Sequence, residues 1–224
     1  MRHAITIIAL LASILAMPTM AETAQYWSDQ ANGYFISGDF EKAAASYDKA
    51  LELEPNSTAL LNSKGKALAN LGRFEDAISC FRKSLDINAT NLESMNLEAT
   101  ALSQGLGESS QAVAIFDQIL QINPSYYDAL IGKGMALAYV GDYSGSLSCF
   151  NAATDARPRD PIGWNNKGVV LREMGNYRDA LTCFSRALDL DSNYENARQN
   201  REMTLEDLNG ERTTSPSMST DNML

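Results

Sequence analysis

"WNNKGVVLREMGNYRDALTCFSRALDLDSN" runs from Trp164 to Asn193. It reads as two amphipathic helices hinged on one glycine. Before Gly175, apolar side chains recur at helical spacing at Trp164, Val170, Leu171 and Met174. After it, Ala180, Leu181, Phe184, Ala187 and Leu188 do the same. Glycine suits the left-handed backbone at which a helix ends, and Asn176 suits the cap of the next helix. The short word "LTCF" (Leu181–Phe184) has two near copies, "ISCF" (Ile78–Phe81) and "LSCF" (Leu147–Phe150).

Working outward from those words exposes a period. Phe81, Phe116, Phe150 and Phe184 are spaced by 35, 34 and 34 residues, and Tyr47 lies 34 before Phe81. Five units follow: 24–57, 58–91, 92–126, 127–160 and 161–194. The third carries one extra residue, expected in a turn near Leu102–Gly107. A small residue recurs at Ala31, Gly65, Ala99, Gly134 and Gly168, and a second at Ala43, Ala77, Ala112, Ser146 and Ala180. Glycine recurs at Gly38, Gly72, Gly107, Gly141 and Gly175. The small residues allow close helix approach and the aromatic fills the space beside them. A single unit cannot bury its apolar face alone, so neighbouring units must stack.

This pattern resembles the tetratricopeptide repeat (TPR) family. Trp164–Asn193 and "LLNSKGKALANLGRFEDAISCFRKSLDIN" (Leu60–Asn88) carry the likeness best. The resemblance implies an all-α fold, a right-handed superhelical solenoid of antiparallel helix pairs with a concave groove lined by the first helices. The third unit departs most, with Glu98 at position 7, Ser109 in place of Phe or Tyr, and Ile119 in place of a small residue. A local distortion is expected there. Residues 195–208 read as a polar capping helix, and 209–224, rich in Ser, Thr, Pro and Gly, as a disordered tail.

Residues 1–21 form a separate object. Arg2 precedes an apolar run from Ala4 to Met17, then Pro18 and a small-residue exit. This is the layout of a secretory signal peptide cleaved between Ala21 and Glu22. The run is short for a bilayer span, which needs about 20 residues, so an uncleaved N-terminal anchor is the weaker alternative. An exported chain with no spanning segment in its mature part is therefore expected. Its net charge would be −10 − 1 = −11, since Arg2 is the only formal charge removed.

Charge and composition exclude several classes. A net charge of −10 and a pI near 4.6 oppose phosphate-backbone binding to nucleic acid and docking on anionic lipid. His3, the only histidine, lies in the leader, which leaves no histidine chemistry in the mature chain. Three cysteines are too few for a disulfide scaffold. All hold position 23 of their units, too far apart to pair, so Cys80, Cys149 and Cys183 should be three free, packed thiols. "GKG" (Gly132–Gly134) lacks the spacing of a phosphate loop. "DLDSNYE" (Asp189–Glu195) lacks the glycine and the closing glutamate of a calcium loop. Trp27 and Trp164, at one repeat position, read as core anchors. No cofactor, metal site or catalytic residue is expected.

The groove is then the expected functional surface, with an extended peptide or a protein as partner. In the family, first-helix positions 2, 5, 9, 12 and 13 face it. Asn62, Asn96 and Asn165 at position 5 could pair with a peptide backbone, joined by Lys66, Asn70, Gln104, Tyr139 and Arg172. The carboxylate-clamp form of the family does not fit. Its positions hold Ser28, Asn32, Ser63, Glu93 and Leu97, and Glu93 would repel a carboxylate. "NST" (Asn56–Thr58) and "NAT" (Asn88–Thr90) are glycosylation sequons in inter-unit loops. The leading expectation is an exported, non-catalytic peptide-binding scaffold, an adaptor or assembly factor at the cell envelope. A self-associating structural module and an accessory subunit of an envelope complex stand beside it.

Overall fold

The computed structural model describes residues 23–214; the leader with its Ala21–Glu22 junction, and residues 215–224 of the tail, lie outside them. Among the described residues there are eleven α-helices and no strand. The chain divides into two compact units at Ala101/Leu102.

The first unit holds α1 (Ala24–Ile36), α2 (Phe40–Leu53), α3 (Thr58–Asn70), α4 (Phe74–Ile87) and α5 (Leu92–Thr100). The second holds α6 (Ser109–Ile122), α7 (Tyr127–Tyr139), α8 (Tyr143–Ala156), α9 (Pro161–Glu173), α10 (Tyr177–Leu190) and α11 (Glu195–Thr214). Within each unit, consecutive helices pack on one another. In the second unit the first helices α7, α9 and α11 also meet side by side.

The glycine column does what its spacing predicts. Gly38, Gly72, Gly107, Gly141 and Gly175 all have φ between 72° and 83°. A side chain is strained there, so glycine is the residue that lets the chain reverse between paired helices. The polar caps are less uniform. Asp39 and Asp142 accept from Lys42 N and Gly145 N, whereas Asn176, expected to cap α10, makes no such bond.

The core is one motif used repeatedly. Tyr47, Phe81, Phe116, Phe150 and Phe184 are all at most 3% exposed. A Cβ built on Gly65, Gly134 or Gly168 would lie 2.3, 2.7 or 2.6 Å from the ring of Phe81, Phe150 or Phe184. The missing side chain is the space that the ring fills. Gly132 opens the same space for Phe116, this time between α6 and α7.

Charge pairs tie three first helices, α3, α5 and α7, to the second helix before them. Lys64 reaches Asp48 at 2.5 Å and Lys133 reaches Asp117 at 2.5 Å. In the third repeat both partners change sign: Arg82 donates to Glu98 at 2.7 Å. The irregular Glu98 is thus one half of an inverted rung. Lys167 faces Asn151 in this register and lies instead over the Trp164 ring, 5.3 Å from its centre.

Two features differ from the sequence expectation. The extra residue of the third unit is not in a loop: α5 continues into a π-helical turn, Ala101–Gly105, which absorbs it within the helix. Ser109, in the place of an aromatic, is buried and shares a hydrogen bond with Ser103 across that turn at 3.0 Å. The capping helix also continues through residues 209–214, assigned above to the tail. No proline interrupts that stretch, and a lone Gly210 weakens a helix without ending it.

Candidate functional site

Position 5 of each first helix does not offer a row of open amides. Asn62 is 2% exposed: its Oδ1 accepts from Ser94 Oγ at 2.9 Å, and Ser94 Oγ is 2.8 Å from Ser84 Oγ. The chain Asn62–Ser94–Ser84 pins α5 to α3 and α4. Asn62 Nδ2 and Asn96 Oδ1 are buried without partners. Asn165 is 5% exposed, and its Oδ1 accepts from Asn200 Nδ2 of α11 at 3.0 Å. The physical reason is packing. The following helix covers position 5 closely enough that its amide serves the fold.

The predicted cations are likewise engaged. Lys66 pairs with Glu93 at 2.7 Å, and Asn70 Nδ2 donates to the Lys66 carbonyl at 2.8 Å. Arg172 pairs with Asp207 of α11 at 2.7 Å, both partly buried. Gln104 is exposed, its Nε2 4.0 Å from Met135 Sδ. Tyr139 stands apart, 65% exposed at the end of α7.

Tyr139 borders a feature that the asparagine row obscured. A cleft of about 170 Å³ opens between α7 and α9, lined by Met135, Ala138, Tyr139, Asn166, Val169 and Val170, with Phe150 at its floor. Most of these side chains are apolar. Ligand pockets for metabolites run to about 300–1,000 Å³, so this cleft suits one aliphatic side chain of a larger partner. The signal was present in the sequence. Position 9 of the five units reads Asn32, Lys66, Thr100, Met135 and Val169, polar in the first three and apolar in the last two.

A second cavity of about 360 Å³ lies in the first unit over α2, α3 and α4. Four of its charged side chains pair: Lys64 with Asp48, and Arg73 with Asp76 at 2.6 Å. Cys80 beside it is buried, as are Cys149 and Cys183, and all three thiols are free. Burial pushes each thiol above its ordinary range and keeps it protonated, the unreactive form.

The remaining sequence candidates fall into place. Asp191 Oδ1 accepts from Asn193 N at 2.9 Å, a turn in the stretch that mimics a calcium loop. Trp27 and Trp164 are half-buried rather than fully internal, the first with Lys49 3.9 Å above its ring, the second donating to the Pro158 carbonyl at 3.0 Å. Asn56 and Asn88 are exposed; Asn88 Oδ1 accepts from both the backbone N–H and the hydroxyl of Thr90 at 3.2 Å. Among the described residues, no three His, Cys, Asp or Glu side chains cluster as metal ligands, and no helix is long and apolar enough to cross a membrane.

Comparison with known proteins matches this architecture. Models of the tetratricopeptide repeat match residues 28–91 and 161–194. Human tetratricopeptide repeat protein 7B is 28% identical over 138 residues, 62% of this chain but only 16% of its own length. YrrB, described as a TPR protein with an unusual peptide-binding site, is 25% identical with a TM-score of 0.58, over 81% of this chain and 93% of its own. A thermophilic TPR protein from Thermus thermophilus superposes with a TM-score of 0.70 at 16% identity, over 82% of this chain and 99% of its own.

Proposed function

We propose, from the premise that this chain belongs to the tetratricopeptide repeat family, that it binds an extended segment of another protein on the α7–α9 face of its second unit. The family is one of protein-interaction scaffolds. The observation that carries the reading is the apolar cleft between Met135 and Val169, with exposed Tyr139 at its edge. Buried apolar anchors supply most of the energy of a typical interface, and the surrounding contacts supply its fit. The peptide-binding site by which YrrB is described supports the same use of the fold. Asn166 and Gln104 at the border can pair with a peptide backbone. No reaction is assigned. The leader-like residues 1–21 support a place outside the cytoplasm, and the scaffold role there is that of an adaptor at the cell envelope.

The test is site-specific photocrosslinking in the native host. A photoreactive residue at Tyr139 should capture one defined segment of one partner, mapped by mass spectrometry. The same residue at Ser148, exposed on α8, should not capture that segment. Val169→Lys, which fills the cleft with a charge, should abolish the Tyr139 product. A product that survives Val169→Lys unchanged refutes the assignment.

A further inference from the structure

We infer that the α7–α9 cleft selects segments in which an apolar side chain is flanked by lysine or arginine. This rests on the cleft being the binding site and adds the chemistry of its occupant.

The electrostatic surroundings of the cleft are one-sided. Val169 and Val170 line it, and Glu173 lies one turn further along the same face of α9, exposed. Glu206 is exposed on α11, which packs beside α9, and Asp207 follows it. Three carboxylates thus gather at this end of the face against one guanidinium, Arg172, which Asp207 holds at 2.7 Å. The backbone adds to the same sign. α7 ends at Tyr139 and α9 at Glu173, so both helices present their C-termini, the negative end of the helix dipole, beside the cleft.

Among the described side chains, the other cations of these helices are engaged elsewhere or hold other repeat positions. Lys133 is held by Asp117 at 2.5 Å on the far side of α7. Lys167 lies over the Trp164 ring, Arg198 pairs with Glu195, and Arg201, whose buried Nε has no hydrogen-bond partner, holds the same repeat position as Lys133 and Lys167. Arg178 and Asp179, of opposite sign, line one recess at the start of α10. An acidic segment would meet the like charge of Glu173 and Glu206. A basic one meets Glu173 and Glu206 while its apolar side chain enters the cleft. Adjacent residues of an extended chain rise about 3.3 Å each, so a basic residue two or three positions from the anchor reaches the next turn of α9.

Fluorescence anisotropy with the full chain and four labelled 12-residue peptides tests this. The first has a central Leu-Leu pair with Lys two and three residues to either side. The second replaces those lysines by Glu, the third replaces them by Ser, and the fourth replaces the leucines by Ser and keeps the lysines. The first should bind about tenfold more tightly than each of the others. Glu173→Lys with Glu206→Lys should invert the preference between the first and second peptides. Both carboxylates are exposed, so the variant is expected to keep its helical circular dichroism, and that is measured alongside.

The failures are distinguishable. If the first three peptides bind equally and better than the fourth, the charge selection is overturned and the cleft stands as an apolar site. If the fourth binds as tightly as the first, the attraction is merely one of net charge, and both readings fall. If the charge-reversed variant keeps the original preference, Glu173 and Glu206 are not the selecting groups.

Discussion

The inverted rung between Arg82 and Glu98 makes a quantitative prediction. Glu98 is 7% exposed, and the Arg82 side chain that holds it is 60% exposed. Replacing Arg82 by Ala leaves a buried carboxylate without its cation. Breaking a fully buried pair costs about 3–5 kcal/mol, whereas a fully exposed pair contributes about 0–1 kcal/mol. One partner dry and the other wet places Arg82→Ala near 2 kcal/mol, roughly midway between those limits. Arg82→Glu adds repulsion and should destabilise further. The double replacement Arg82→Glu with Glu98→Arg should recover only part of the loss, because the larger guanidinium must then occupy the dry side. Urea denaturation followed by helical circular dichroism measures each step. The decisive number is the coupling energy of the Arg82→Ala, Glu98→Gln cycle, expected at about 1 kcal/mol or more. Additive effects, within about 0.3–0.5 kcal/mol, would refute the claim that the inverted pair holds the third repeat to the second. A related outcome concerns repeat order. Glu98→Lys, which restores the sign found at Lys64 and Lys133, should destabilise the chain although it makes the sequence more regular.

Two further outcomes follow from the core and the thiols. Gly168→Ala puts a Cβ 2.6 Å from the fully buried Phe184 ring; it should lose about 1–3 kcal/mol as overpacking does, and an unchanged urea midpoint would contradict the ring-into-glycine account. Cys80, Cys149 and Cys183 should resist a disulfide reagent in the native chain and all react once it is denatured. Their thiols are raised by burial, so the folded state holds protons that the unfolded state releases first. The stability they contribute is complete below the unfolded thiol range, about pH 8.5, and is lost as pH rises through the folded values. Cys→Ser variants should show a shallower alkaline loss, and an identical slope would remove the thiols from that balance.

Much of the architecture was legible because it is written five times. One glycine, one aromatic and two small positions recur at a fixed interval, and each has a local physical meaning: a left-handed turn, a filled gap, a close helix approach. The five positive-φ glycines and five buried rings stand where that spacing puts them. The site was less legible. The asparagines of position 5 stood out in sequence by their repetition, yet Asn62 and Asn165 turned inward to bond Ser94 and Asn200. Position 9 changes from Asn32 and Lys66 to Met135 and Val169, a weaker signal that marks the cleft.

By itself, then, the sequence determined most of what depends on period and local backbone preference: the helix pairs, the glycines at which they reverse, and the small and aromatic columns of the core. Only the tertiary structure decided which polar groups remain available. Whether Asn62, Lys66 or Arg172 is free depends on the distance to Ser94, Glu93 or Asp207 on another helix. It also decided what became of the extra residue. A π-helical turn and a loop accommodate an insertion equally well in sequence, and the choice at Ala101–Gly105 rests with packing, which buries Ala101, Leu102 and Ser103 and so favours a continuous helix.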